Sequence, residues 1–136
     1  MSMFSTIKSV FIRNEEIKMT NIKQTAIVTG ASTGLGLAIT KAFLDQGFNV
    51  VMNSFNPHNL EAAYKSLGSP EKAITVAGDV SDKSVGEQLT AAAVEAFGGV
   101  DVLVNNAGIF SPKPLLDTEE ADLDRFFAVN FKGTYF

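Results

Sequence analysis

The sequence contains no cysteine, which excludes disulfides and thiolate metal sites. Its only histidine, His58, sits in a turn beside Pro57 with no cluster of further ligands, so it indicates neither a metal site nor a general base. No apolar run approaches the roughly 18 residues of a membrane span. Positive charge is in the minority: 11 Lys and Arg stand against 15 Asp and Glu, for a net charge of −4. A partner bound through its phosphate backbone, such as DNA or RNA, would call for a basic face instead. No internal repeat, low-complexity tract or domain-dividing linker is present. What remains is a chain of 136 residues, 46% hydrophobic and 19% charged. That is one domain, or a piece of one, able to bury a core. The expectation is a cytoplasmic protein with no membrane or nucleic-acid partner.

Residues 1–20 read as a disordered extension. Lys8, Arg13 and Lys18 mix there with Glu15 and Glu16, and the apolar residues are scattered, without the continuous apolar region of a secretory signal. Translation from an upstream start, with Met19-Thr20-Asn21 as the natural beginning, is the companion reading. Residues 21–136 are expected to fold.

From Gln24 onward, short apolar runs alternate with helical patterns, the signature of βαβ units and a parallel sheet. The strand candidates are Thr25–Thr29, Asn49–Asn53, Ala73–Ala77 and Val100–Asn105. They are nearly continuous in apolar character, as befits strands covered by helices on both faces. Helices are predicted near Gly34–Gln46, Asn59–Leu67 and Ser81–Phe97, with Gly47, Gly68 and Gly98-Gly99 at their C-terminal ends. Ser81 is the expected N-cap of the third, with Asp82 in its first turn. A further helix is expected after Thr118 as N-cap, with Leu123, Phe126 and Phe127 on its apolar face. Right-handed crossovers on both sides of the first strand give the order 3-2-1-4. The fold class is thus α/β: a Rossmann-type, doubly wound parallel sheet of about four strands with flanking helices. Val100–Asn105 would lie at an edge although it is apolar and uncharged at Val102-Leu103-Val104, an aggregation hazard. The expectation is therefore that the sequence is the first half of a longer domain.

Four places carry candidate chemistry. The first is Thr29-Gly30-Ala31-Ser32-Thr33-Gly34-Leu35-Gly36, which follows the apolar run Ala26-Ile27-Val28 and opens a helix. A strand, a glycine-spaced turn and a helix start can hold a diphosphate, because free N–H groups there favour negative charge. Ser32 and Thr33 add hydroxyl donors. The second is Asp79-Val80 after the third strand: Asp79 can accept from an adenine amino group while Val80 packs on the ring. Taken alone, a capping or turn aspartate explains Asp79 better. The third is Asn105-Asn106-Ala107-Gly108 after the fourth strand, where a ribose contact and a structural turn are equally served. The fourth is Asn130, which shares a helical face with Leu123, Phe126 and Phe127. A buried amide there needs partners, either backbone at a helix irregularity or an ordered water.

In this order, these four motifs resemble the short-chain dehydrogenase/reductase family, over a match from about Ile22 to Phe136. Asn49–Asn53 and Asp101–Gly108 are similar to its glucose dehydrogenase and 3-oxoacyl-carrier-protein reductase branches. The resemblance implies an oxidoreductase that moves a hydride between NAD or NADP and a small carbonyl or alcohol substrate. It assigns Gly30, Ser32, Thr33, Gly34, Leu35 and Gly36 to the diphosphate side, and Asp79 with Val80 to adenine. Asn105, Ala107 and Gly108 line the ribose region, and Asn130 supports a water in the proton relay. In relatives the acid–base work belongs to a serine and a Tyr-x-x-x-Lys pair. Here Tyr64 is followed four residues later by Gly68, and Tyr135 by a single residue. The chain as given is therefore expected to lack the catalytic pair and to be inactive alone. The alternative is a truncated, non-catalytic nucleotide-binding or interaction module. Another Rossmann ligand, such as S-adenosylmethionine, would suit the glycine turn but leave the asparagines unexplained.

Cofactor choice turns on Asn53-Ser54-Phe55-Asn56 at the end of the second strand. An acid there would favour NAD through the ribose 2′-OH. None is present, so Ser54 and its neighbours do not repel a 2′-phosphate. Thr33 also stands where many NADP-using relatives carry a basic residue. The reading leans to NADP, with dual use open. Relatives assemble through the helix that contains Asn130 and the one after it, which implies a homo-oligomer.

Overall fold

The computed structural model describes residues 23–136; the proposed extension over 1–20 and the Met19 start lie outside the described residues. Four strands, β1 (Thr25–Val28), β2 (Asn49–Ser54), β3 (Ala73–Ala77) and β4 (Val102–Val104), form one parallel sheet in the order β3-β2-β1-β4. The expected strand order is the observed one. Helices α1 (Gly34–Asp45), α2 (Pro57–Ser66) and α3 (Lys83–Phe97) make the crossovers. After β4 come a 3-10 turn (Leu115–Asp117), α4 (Glu120–Phe126), a π-helical segment (Phe127–Lys132) and a short turn of helix, α5 (Gly133–Tyr135).

The sheet is buried because successive residues of β1 and β2 feed opposite cores. Val28, Val50 and Met52 pack with Leu60 and Ala63 of α2 and with Phe43 and Leu44 of α1. Ile27 and Val51 point the other way, to Val85, Leu89 and Ala93 of α3. Full burial of each large aliphatic side chain contributes roughly 1.5–3 kcal/mol. Ile27 is in register with both Val51 and Leu103. Leu103, on the edge strand β4, nevertheless remains 56% exposed.

The element boundaries differ from expectation in ways that side-chain bonds explain. β4 is shorter than Val100–Asn105: the Asp101 carboxylate accepts the Thr25 N–H at 2.8 Å before the strand, and Asn106 N–H turns back to the Val104 carbonyl at 3.1 Å after it. α3 is capped by Asp82, which accepts the Ser84 N–H at 2.9 Å, and not by Ser81, whose hydroxyl is committed to Asp79. α4 starts after Glu119, not Thr118; the Thr118 hydroxyl bonds the Pro114 carbonyl at 3.2 Å, and the Asp122 carboxylate accepts the Glu119 N–H at 3.0 Å. α2 begins at Pro57, where a fixed φ suits the first helical position, so exposed His58 lies in a helix and not a turn. Among the described residues no helix is long and apolar enough to cross a membrane.

Candidate functional site

Parallel strands all point their C-terminal ends to one edge of the sheet, and the loops that follow β1, β2, β3 and β4 meet there. They enclose a groove of about 340 Å³. Its walls come from Gly30 and Ser32 to Gly36 after β1, Ser54 and Phe55 at the end of β2, Asp79 and Val80 after β3, and Asn106 to Ile109 after β4. Arg125 and Val129 close it from α4 and the π segment. A volume of that size falls in the range of small-ligand sites, about 300–1,000 Å³.

The glycine turn is shaped by contact at one glycine and by openness at another. A Cβ on Gly36 would collide with the carbonyl oxygen of Gly30, so the start of α1 packs on the turn at a distance no side chain allows. Gly34 has φ +53° and open space where a Cβ would stand, so the turn presents bare backbone to the groove. The N-cap of α1, Thr33, is extended and makes no side-chain cap, and the first turn carries no acid. α2 and α3, by contrast, are capped by Asn56 and Asp82. The start of α1 therefore leaves its first N–H groups and its positive dipole end without a side-chain cap beside the groove, an arrangement that can favour an anion. Ser32 Oγ lies 2.9 Å from Ser54 Oγ, which joins the turn to the end of β2.

The turn is held from β4. Thr29 Oγ1 accepts the N–H groups of Asn106 at 3.1 Å and Ala107 at 3.0 Å and donates to the Val104 carbonyl at 3.2 Å. The Asn106 side chain donates to the carbonyls of Thr29 at 3.0 Å and Gly30 at 3.2 Å. Its neighbour Asn105 points to the opposite face, because adjacent residues at a strand end alternate. There it lines a smaller cavity of about 160 Å³ with Ile27, Thr29 and Leu103 and is not part of the groove wall. Of the sequence-derived set, Gly30, Ser32, Thr33, Gly34, Leu35, Gly36, Ser54, Asp79, Val80, Ala107 and Gly108 come together in the groove.

Asn53 ends the second strand candidate and opens the cofactor-choice segment, with no side-chain role evident from the sequence. It is 1% exposed, and its Nδ2 donates to the carbonyls of Val76 at 3.0 Å and Gly78 at 3.1 Å. That ties β2 to the chain just before Asp79. Its Oδ1 has no partner among the described residues.

Asp79 is the most heavily bonded polar group of the groove. Its Oδ1 accepts the Ser81 N–H at 2.9 Å and the Ser81 hydroxyl at 2.7 Å, and its Oδ2 accepts from Arg125 Nη2 at 2.6 Å. Partial burial works to raise its pKa. The Ser81 N–H, the Arg125 hydrogen bond, the Ser81 hydroxyl and the Arg125 charge outweigh it and hold the carboxyl below its ordinary value. Arg125 carries no motif in the sequence. Its alternation of charge with Asp122 and Asp124 suggests only a solvated helix face.

Asn130 meets backbone at a helix irregularity, one of the two expected partners, but it is not buried. Leu123, Phe127 and Asn130 itself are exposed, and Phe126 is half-buried. Both ends of the side-chain amide are nonetheless engaged: Oδ1 accepts the Ile109 N–H at 2.8 Å and Nδ2 donates to the Ile109 carbonyl at 3.0 Å. Asn130 lies within the π-helical segment and pins the loop that follows Gly108 to it. Among the described residues no group of acidic, histidine or cysteine side chains could hold a metal ion.

Residues 24–136 match the family model for short chain dehydrogenases. An uncharacterized oxidoreductase of Mycobacterium bovis is 41% identical over 112 residues, which are 82% of this chain and 45% of that protein. The crystal structure of a short-chain dehydrogenase/reductase, glucose/ribitol dehydrogenase, from Brucella melitensis superposes with a TM-score of 0.79. It is 38% identical, over 83% of this chain and 48% of that one. A 3-ketoacyl-(acyl-carrier-protein) reductase from the same organism, solved with NADH, gives a TM-score of 0.76 at 34% identity, over 82% of this chain and 46% of that one. The chain thus spans about half the length of the curated relatives it matches. With a family model covering nearly all the described residues and these relatives agreeing in fold, the chain belongs to the short-chain dehydrogenase family.

Proposed function

We propose that the groove holds a nicotinamide dinucleotide, and that the chain is the cofactor-binding part of an oxidoreductase acting between a carbonyl and an alcohol on a small substrate. The observation that carries this reading is the convergence, at one sheet edge, of an uncapped helix start, an open glycine turn and an acceptor at Asp79. The diphosphate belongs at the α1 N-terminus beside Gly34, Leu35 and Gly36, with Ser32 and Thr33 as hydroxyl donors. Asp79 and Val80 take adenine, and Ala107 and Gly108 approach the ribose nearer the nicotinamide. When bound, the dihydronicotinamide supplies the hydride. Asn130 would support a water of the proton relay, and its two bonds to Ile109 fix the loop after Gly108 beside that place.

The end of β2 supports NADP over NAD. Ser54 and exposed Phe55 stand where an acid would be needed to bond a ribose 2′-OH, and whichever hydroxyl of the Ser32–Ser54 pair accepts keeps its own proton to donate to a 2′-phosphate. A second reading, a dinucleotide-binding module without turnover, is favoured by Tyr64. It is followed four residues on by Gly68 and not by lysine, and its hydroxyl bonds the Pro70 carbonyl at 3.4 Å, away from the groove.

Titration of the full chain with NADPH and with NADH, followed by nicotinamide fluorescence, tests the reading. Saturable binding of both, tighter for NADPH, is expected. No saturation by either nucleotide at millimolar concentration would contradict it. Oxidation of a bound NADPH by small carbonyl compounds then separates an enzyme from a binding module.

A further inference from the structure

Arg125 reaches the groove from α4, 46 residues further along the chain than Asp79. Its guanidinium forks over the loop after β3: Nη2 donates to Asp79 Oδ2 at 2.6 Å and Nη1 to Ser81 Oγ at 3.2 Å. The Ser81 hydroxyl in turn donates to Asp79 Oδ1 at 2.7 Å, which closes a circuit of three side chains. With side chains 51% and 34% exposed, the ion pair contributes little to stability. Both partners, however, are walls of the groove.

The carboxylate geometry gives the pair its use. An ionised carboxylate has about four acceptor positions. Ser81 occupies two on Oδ1 through its N–H and its hydroxyl, and Arg125 occupies one on Oδ2. Ser81 alone would leave the group free to pivot about Oδ1, whereas the planar guanidinium fixes the second oxygen as well. We propose that Arg125 is a positioning residue for the adenine end of the dinucleotide: it orients Asp79 so that the remaining acceptor position of Oδ2 receives the exocyclic amino group of adenine. This rests on the reading that Asp79 faces adenine, and its test separates the two.

The test compares NADPH with its hypoxanthine analogue, in which an oxygen replaces the amino group, on the full chain. Wild type binds NADPH about tenfold more tightly, the effect of one hydrogen bond to a charged acceptor. Arg125→Ala reduces that ratio to about threefold or less, since the bond is weakened when its acceptor pivots. Arg125→Lys, which keeps the charge and the stem without the fork, falls between and serves if the alanine variant does not fold. An adenine-to-hypoxanthine ratio unchanged in both variants overturns the proposal and leaves Arg125 a strap between two surface elements. Equal binding of the two nucleotides by wild type removes the contact between Asp79 and adenine, and the proposal with it. Failure of wild type to bind either nucleotide removes the cofactor reading itself.

Discussion

Asn106 is bonded to Thr29 twice: its side-chain amide donates to the Thr29 carbonyl at 3.0 Å, and its backbone N–H donates to the Thr29 hydroxyl at 3.1 Å. Neither residue is a ligand in this account. Together they lock the end of β4 against the glycine turn, so two of the groove's walls move as one body.

Removing either side of that lock leaves partly buried groups short of a partner. Thr29→Val deprives the Ala107 N–H of its acceptor and leaves the Asn106 N–H only the Val104 carbonyl. Asn106→Ala deprives the Thr29 and Gly30 carbonyls of their donor. Each variant is expected to be about 1–2 kcal/mol less stable in urea unfolding, since the groups left unpaired are only partly buried. The two substitutions remove different bonds of one network, so a double-mutant cycle should show a coupling energy between them rather than simple addition.

The glycines of the turn separate stability from binding. Gly36→Ala drives a Cβ into the Gly30 carbonyl and should cost about 1–3 kcal/mol by overpacking, together with loss of nucleotide binding. Gly34→Ala meets open space, though at φ +53°, and should cost about 1–2 kcal/mol for the left-handed backbone. Its larger effect falls on nucleotide affinity, since the added methyl stands at the bare turn. Thermal melts with and without NADPH distinguish the two.

Arg125 also governs a titration. Asp79 has a pKa below its ordinary value of 3.8, so its stabilising contribution is complete above that value and is lost as pH falls through the lower folded one. Arg125→Ala removes a hydrogen bond and a positive charge that both lower the pKa. The Asp79 carboxyl carbon, followed by NMR, should therefore titrate at higher pH in the variant than in wild type. A midpoint that stays where it was would remove Arg125 from the electrostatics of this site.

Asn130→Ala breaks both bonds to Ile109. Since Asn130 is exposed, the stability cost should stay within about 0.5–1.5 kcal/mol. The local effect should be larger: the Ile109 amide loses its acceptor, and its hydrogen exchange should quicken. Asn130→Asp keeps the acceptor and should retain protection at that amide.

Much of this was legible in the sequence, and what was not has physical reasons. The order of strands followed from apolar runs and crossover handedness, because β1 and β2 are buried on both faces and show it in Ala26-Ile27-Val28 and Val50-Val51-Met52. The glycine turn was legible because few residues other than glycine suit it. The pair of asparagines was legible as a place but not as an assignment, since a one-residue difference at a strand end decides between Asn105 and Asn106. Ser81 and Thr118 look like N-caps, but their hydroxyls serve Asp79 and Pro114 instead, and propensity does not register such competition. Arg125 was invisible because its partner lies on another element. Asn130 was read as buried from its apolar neighbours, yet Leu123 and Phe127 are themselves exposed.

The central claim is that a nicotinamide dinucleotide lies across the turn, the end of β3 and the end of β4. Amide chemical-shift mapping of the isotope-labelled chain during NADPH titration tests it most directly. The account predicts saturable shifts at Gly34, Gly36, Val80, Ala107 and Gly108, with Leu89 and Ala93 of the opposite core unmoved. Shifts centred instead on α3 and exposed Leu103, or none that saturate, would contradict it.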